Sequence, residues 1–272
     1  MGKDTGPLEI STTRENLFET ISNGFRRQSR SLKRFAVSKP LGAAGGLIVL
    51  IVVLCAIFAP LVAPFDPYEF NLDENGMPVR LEGPGTDYLL GTDAIGRDVF
   101  SRIIYGARVS LIVGLGAVAL GITLGTVIGL ISGYFLGKID QVLQRAVDTL
   151  MAIPAIVLAL AVMTMLEPGI FNIILVIAIV IAPGSARVVR STVLAITQNV
   201  YIEAARSIGA TDRRIVFRHI LPNVVAPIII IGSIWVGNAI VIEAALSYLG
   251  LGTPPPCLLY TSPSPRDRGC SR

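Results

Sequence analysis

Charge is what this chain has least of. Only 15% of its 272 residues are Asp, Glu, Lys or Arg, where soluble proteins carry about a quarter, and 52% are hydrophobic. That balance excludes an ordinary soluble globular plan. Histidine occurs once, at His219, and cysteine three times, at Cys55, Cys257 and Cys270. This set offers neither a metal-ligand spacing nor a disulfide framework, and Cys55 lies in an apolar run where a small thiol packs as a hydrophobe. HExxH and GxSxG are both missing, which removes two common hydrolase chemistries. GYFLGK, residues 133–138, has three residues between its glycines where a phosphate loop has four, and no Ser or Thr follows its Lys. A Walker A reading is therefore rejected. The expectation is a non-enzyme with no catalytic residue, no metal site and no cofactor of its own.

Apolar residues are what the chain has in quantity, and they are gathered. Crossing about 30 Å of hydrocarbon takes about 20 of them in a row, and five such runs are legible: 41–64, 109–134, 149–166, 169–186 and 224–247. The first begins after about 40 mostly polar residues and is too long for the core of a signal peptide, so an anchor that stays is expected. Residues 21–40 hold Arg26, Arg27, Arg30, Lys33, Arg34 and Lys39 with no acid. The positive-inside rule places them, with the N-terminus, in the cytoplasm. Residues 65–108 form an acid-rich external loop, Lys138 and Arg145 mark an internal connector, and residues 187–223 return to the cytoplasm with Arg187, Arg190, Arg206, Arg213, Arg214 and Arg218. The basic pI thus reflects loop topology, and no nucleic-acid partner is expected.

The internal stretch EAARSIGATDRRIVFRHILPN, residues 203–223, has more order than topology needs. Val193, Ile196, Val200 and Ala204 recur at helical spacing, predicting a helix from Ser191 through Ser207. Gly209 suits the left-handed residue that ends a helix, the Thr211 hydroxyl is placed to cap a second one, and Asp212 complements its dipole. Ile215, Val216 and Ile220 give that helix an apolar stripe, and Pro222 limits its continuation. Small residues at the corner allow a partner's backbone to approach, whereas a hairpin merely resting on lipid would not need them.

Glu-Ala-Ala at 203–205, Gly209, and Leu221-Pro222 twelve positions beyond that glycine resemble the EAA loop of permease subunits of binding-protein-dependent ABC importers. His219 departs from the pattern, standing where the family usually has an apolar residue three before the proline; packing or capping is its expected role. LGTDAIGRDVFSRIIYGARVSL, residues 90–111, and LSYLGLGTPPP, residues 246–256, resemble the dipeptide, oligopeptide and nickel branch. The resemblance implies an all-α polytopic helical bundle, usually of six helices, working as the importer's translocation path for di- or oligopeptides. Nickel or another small solute is the alternative, and a proton-coupled secondary transporter or channel the rival of another class. It further implies a second, similar permease, two cytoplasmic ATPases that bind ATP and Mg, an external substrate-binding protein, and a bacterial or archaeal plasma membrane around them all. ATPase coupling would fall to Glu203, Ala204, Ala205, Gly209, Ala210, Leu221 and Pro222.

Gly91, Thr92, Asp93, Gly96, Arg97 and Asp98 carry the branch signature and suggest an external gate, or a short helix seating the second run. Thr92 or Asp93 is placed to cap the helix beginning near Arg97, and Asp98 with Arg102 has the spacing of a helical ion pair. Glu243 is the acid set deepest in an apolar run; it belongs to the translocation path, or reaches water at the external end. Gly121, Gly125, Gly129, Gly133 and Gly137 recur every fourth residue, a pattern for close helix packing or a sliding surface. Pro154 and Pro183 are expected to bend or interrupt their helices. After Pro256 the composition shifts abruptly to Ser, Pro and Arg, and residues 257–272 read as a non-native tail standing where a sixth helix is expected.

Overall fold

The computed structural model describes residues 38–72 and 76–252. The basic residues Arg26 to Arg34 and the tail beyond Pro256 lie outside the described residues. The chain divides after Phe58 into two units. The first contributes α1 (Pro40–Ile57), an uncharged helix with proline in its first turn, where the missing N–H costs nothing. Eighteen residues rise about 27 Å, close to the hydrocarbon thickness.

The second unit contains α2 (Ala59–Val62), α3 (Val99–Phe135), α4 (Gly137–Met151), α5 (Ala155–Met163), α6 (Ile170–Thr197), α7 (Val200–Ser207), α8 (Asp212–Ile215), a π-helical turn (Val216–Ile220) and α9 (Leu221–Tyr248). Isolated β-bridges pair Leu72 with Pro78 and Thr92 with Asp98 in the segment between α2 and α3. Among the described residues, four helical stretches are long and apolar enough to cross a membrane: α1, α3, α6, and the continuous run from Asp212 to Tyr248. α4 and α5 make a fifth only as a pair bent by 90°. The run over 149–166 is interrupted at Pro154, as its sequence predicts. Pro154 has no N–H to donate and restricts the residue before it, so the helix stops at Met151 and restarts at Ala155 in a new direction. Two other spans are longer than hydropathy suggests. α3 starts ten residues before 109, and α6 continues through Pro183 to Thr197, because charged residues that end an apolar run do not end a helix.

The glycine stripe is a packing surface. A Cβ at Gly121, Gly125, Gly129 or Gly133 would lie within 3.0 Å of atoms of α6, including the carbonyl oxygens of Ala178, Ala182, Ala186 and Arg190. Absent those side chains, the two helix backbones meet directly, which is how dispersion holds membrane helices together when lipid is as apolar as they are. Gly137 is not part of it: its φ of +60° makes the corner between α3 and α4, with open space around it. One apolar core gathers Val113 and Ala117 of α3, Met163 of α5, Ile173 and Ile177 of α6, and Ala239 and Leu246 of α9. A second joins Tyr134, Val193, Ile202, Ile215, Ile220 and Val224 beneath the 198–220 loop.

Candidate functional site

The 198–220 loop is two short helical pieces hinged on a glycine. The predicted helix from Ser191 to Ser207 is in fact broken at Asn199, whose backbone is extended. Its side-chain amide donates to the carbonyls of Ala195 and Ile196, satisfying acceptors that the end of α6 leaves open. α7 therefore leaves at a new angle, with Ile202 and Ala205 buried and Glu203, Ala204 and Arg206 facing out. Gly209 follows at φ +81° with nothing within 4 Å of where a Cβ would be. Thr211 stands at the cap of α8, but its hydroxyl makes no cap bond, and its carbonyl instead receives the Ile215 N–H. The outward surface is unusually apolar for an aqueous loop: Val200 is 80% exposed and Ile208 86%.

Of the residues the EAA pattern singled out, Glu203, Ala204, Gly209 and Pro222 lie on the exposed side, whereas Ala205 is buried, Ala210 is half-buried against the second core, and Leu221 is half-buried. The small side chain of Ala205 thus serves the inside of the loop. His219 sits beside Tyr201 with ring centroids 6.4 Å apart, and its carbonyl accepts from the Asn223 amide.

At the other end of α3, the branch signature forms a compact turn. Asp93, rather than a cap, is its hub: Oδ1 accepts the backbone N–H groups of Ile95 and Arg97, and Oδ2 takes the Arg97 guanidinium at 3.1 Å and that of Arg102 at 2.5 Å. The expected Asp98–Arg102 pair is replaced, because Asp98 is fully buried and caps α3 by accepting the Ser101 N–H at 2.8 Å. Thr92 is buried and accepts the Glu82 N–H through its hydroxyl. Gly91 and Gly96 both take positive φ. Glu243 is 6% exposed and accepts hydroxyl hydrogen bonds from Ser110 and Ser247. It lines a cavity of about 460 Å³ that also touches Arg97, Arg102 and Tyr68.

Burial works against the ionised Asp93, but hydrogen bonds from Arg97 and Ile95 and the Arg97 charge outweigh it and hold the carboxyl below its ordinary value. Folding favours the ionised form, so its contribution is full above the ordinary aspartate value of about 3.9 and is lost as pH falls through the lowered one. The Tm difference between wild type and Asp93→Asn should be constant above about pH 5 and shrink below about pH 4.

Residues 125–263 match the family described as binding-protein-dependent transport system inner membrane component. The chain belongs to that family. Residues 30–84 of this inner membrane component match the N-terminal transmembrane domain of oligopeptide transport permease C. It is 40% identical over 228 residues to a glutathione transport system permease protein of Pectobacterium atrosepticum, covering 84% of this chain and 74% of that one. A di/tripeptide transport system permease protein of Pseudomonas aeruginosa is 41% identical over 217 residues, 79% of this chain and 72% of that one. A dipeptide transport system permease protein of Haemophilus influenzae is 43% identical over the same length, covering 79% and 74%.

Two polar clusters of this inner membrane component escape a reading of the sequence. Tyr134, at the end of α3, donates its hydroxyl to Asp212 at 2.6 Å and carries the Arg206 guanidinium 5.7 Å from its ring centroid. One side chain thereby holds both arms of the loop across Gly209. Arg190 of α6 makes a two-pronged pair with Asp140 of α4, at 2.7 and 2.6 Å, the strong geometry for a guanidinium and a carboxylate. Ser132 of α3 donates to the same Asp140 and accepts from Gln144, while Arg187 pairs with Asp148 at 2.7 Å. The two arginines that basic-loop topology alone would explain also tie α6 to α4. The sequence held no sign of these pairs beyond the opposite charges, because the partners lie 39 and 50 residues apart.

Proposed function

We propose that this inner membrane component forms, with a second permease, the translocation path for di- or oligopeptides, and that its 198–220 loop is the surface gripped by cytoplasmic ATPases. The observation that carries the coupling role is the exposed corner around Gly209, bearing Ile208 and Val200 in the open yet braced from within by Tyr134. A surface that must pass force needs apolar area to bury against its partner and a rigid connection behind it. Here the connection runs from Tyr134 into α3 and, through the glycine stripe, into α6. ATP and Mg would be held by the partner ATPases, and an external binding protein would deliver the peptide. The N-terminus lies in the cytoplasm on this reading, because residues 21–40 are basic without an acid and obey the positive-inside rule.

The peptide assignment rests on relatives named for dipeptide, di/tripeptide and glutathione transport. The nickel alternative has no observation in its favour, there being no group of three or more metal-ligating side chains among the described residues. The test is reconstitution in proteoliposomes with a partner permease, ATPases and binding protein from the same organism. ATP-dependent accumulation of labelled dialanine is expected, and Ile208→Cys should cross-link to the ATPase in the same vesicles. Energised vesicles that accumulate nickel and not peptide would overturn the substrate. An Ile208→Cys permease that gives no cross-link to the ATPase would overturn the docking surface.

A further inference from the structure

Glu243 is a buried carboxylate in an apolar helix that makes no ion pair among the described residues, whose pairs involve only Asp93, Asp140 and Asp148. Such a group is costly unless something compensates it, and two serine hydroxyls compensate it only in part. Ser247 donates to Oε1 and Ser110 to Oε2, leaving each oxygen a further lone pair. The cavity it lines has the opposite imbalance at its other end. Arg97 and Arg102 share one carboxylate, Asp93, so one positive charge and several N–H donors remain unspent there. Arg102 and Ser110 both lie on α3, eight positions apart, about 12 Å along the axis.

We propose that this cavity receives a short peptide by its two ends, the free ammonium on Glu243 and the carboxylate on Arg97 and Arg102. The proposal rests on the peptide reading above and makes it specific. A pocket of 460 Å³ lies toward the small end of ligand sites. An extended tripeptide spans about 10 Å, of the same order as the axial spacing between Arg102 and the Ser110 that holds Glu243. Recognition by the termini leaves side chains unread, so the site sorts peptides by length and by free ends. Glu243 and Arg102 are then specificity-determining residues at the outer mouth of the path.

The experiment uses the whole transporter in lipid nanodiscs, without the binding protein, held with a non-hydrolysable ATP analogue. Equilibrium binding of three labelled probes is measured: trialanine, N-acetyl-trialanine and trialanine amide. Glu243→Gln keeps an acceptor for one serine and offers its amide N–H to the other, whose hydroxyl turns to accept it, so the fold is preserved. It should weaken trialanine and the amide about tenfold and leave the acetylated probe unchanged. Arg102→Gln should weaken trialanine and the acetylated probe by a similar factor and spare the amide. Equal weakening of all three probes, no change with either variant, or no trialanine binding by the wild type would each overturn the site. Failure of the peptide reading is separate, and appears as wild-type vesicles with binding protein that take up no trialanine at all.

Discussion

Gly209→Trp is expected to abolish ATP-driven uptake while leaving the amount of protein inserted in the membrane unchanged. Two effects contribute, and companion variants separate them. Gly209 has φ +81°, where an ordinary L-residue pays about 1 to 2 kcal/mol. Gly209→Ala carries that strain and little bulk; Gly209→Asn tolerates the conformation better and carries moderate bulk. Because no atom lies within 4 Å of the added Cβ, the side chain leaves the corner into open space, toward whatever docks there. If docking is the role of this corner, uptake falls steeply from alanine to tryptophan. If strain alone matters, alanine and tryptophan fail equally and asparagine is close to wild type. Normal uptake by Gly209→Trp sinks the coupling assignment. Tyr134→Phe supplies an internal comparison, keeping the ring beneath Arg206 and deleting the hydroxyl that Asp212 accepts, a loss of about 1 kcal/mol of loop anchoring.

The second large effect is expected in the bilayer. Gly125→Val should unfold or misassemble the helix pair α3 and α6. A Cβ at Gly125 would sit 2.6 Å from the Ser185 Cβ, 2.7 Å from the Ala182 carbonyl oxygen and 2.9 Å from the Ala186 nitrogen. Two of those neighbours are backbone, so no rotamer change relieves the overlap. The helices must separate, and separation opens the interface along the whole stripe. Overpacking in a close-packed core costs about 1 to 3 kcal/mol and more where backbone must move, a large share of a marginal total. Gly106→Ala is the contrasting variant. It lies on the same helix with nothing within 4 Å, and alanine is preferred over glycine in a helix by about 1 kcal/mol. Thermal unfolding in detergent should show a marked drop in Tm for the first and none for the second. A Gly125→Val protein that melts with the wild type would mean that the two helices do not meet at this stripe.

Much of the architecture is legible before any coordinates because hydropathy is a local property. A residue's cost in hydrocarbon is set by its own side chain, so runs of apolar residues mark the spans wherever the rest of the chain lies. Gly209 was legible for a similar reason, since a left-handed corner after a helix is a demand on one residue's backbone. The glycine stripe was visible as a surface, though its partner was not. Other readings failed where a local signal had two outcomes. Val193, Ile196, Val200 and Ala204 keep helical spacing straight across the break at Asn199, and periodicity carries no record of the side chain that turns back to cap Ala195 and Ile196. Asp98 had the right spacing to pair with Arg102, but burial committed it to Ser101 and left the arginine to Asp93.

By itself, then, the sequence determined that the chain is a multi-helix membrane protein, where its spans begin to within a few turns, and that a short helix ends at a glycine corner at Gly209. Those conclusions depend on each residue's transfer energy and backbone preference, which travel with the chain. Only the tertiary structure decided that α3 meets α6 through its glycines, that Tyr134 braces the loop across Gly209, that Arg190 grips Asp140, and that Glu243 shares a cavity with Arg97 and Arg102. Each of these joins residues distant in sequence, and a charge or hydroxyl at close range takes whichever partner the packing brings to it.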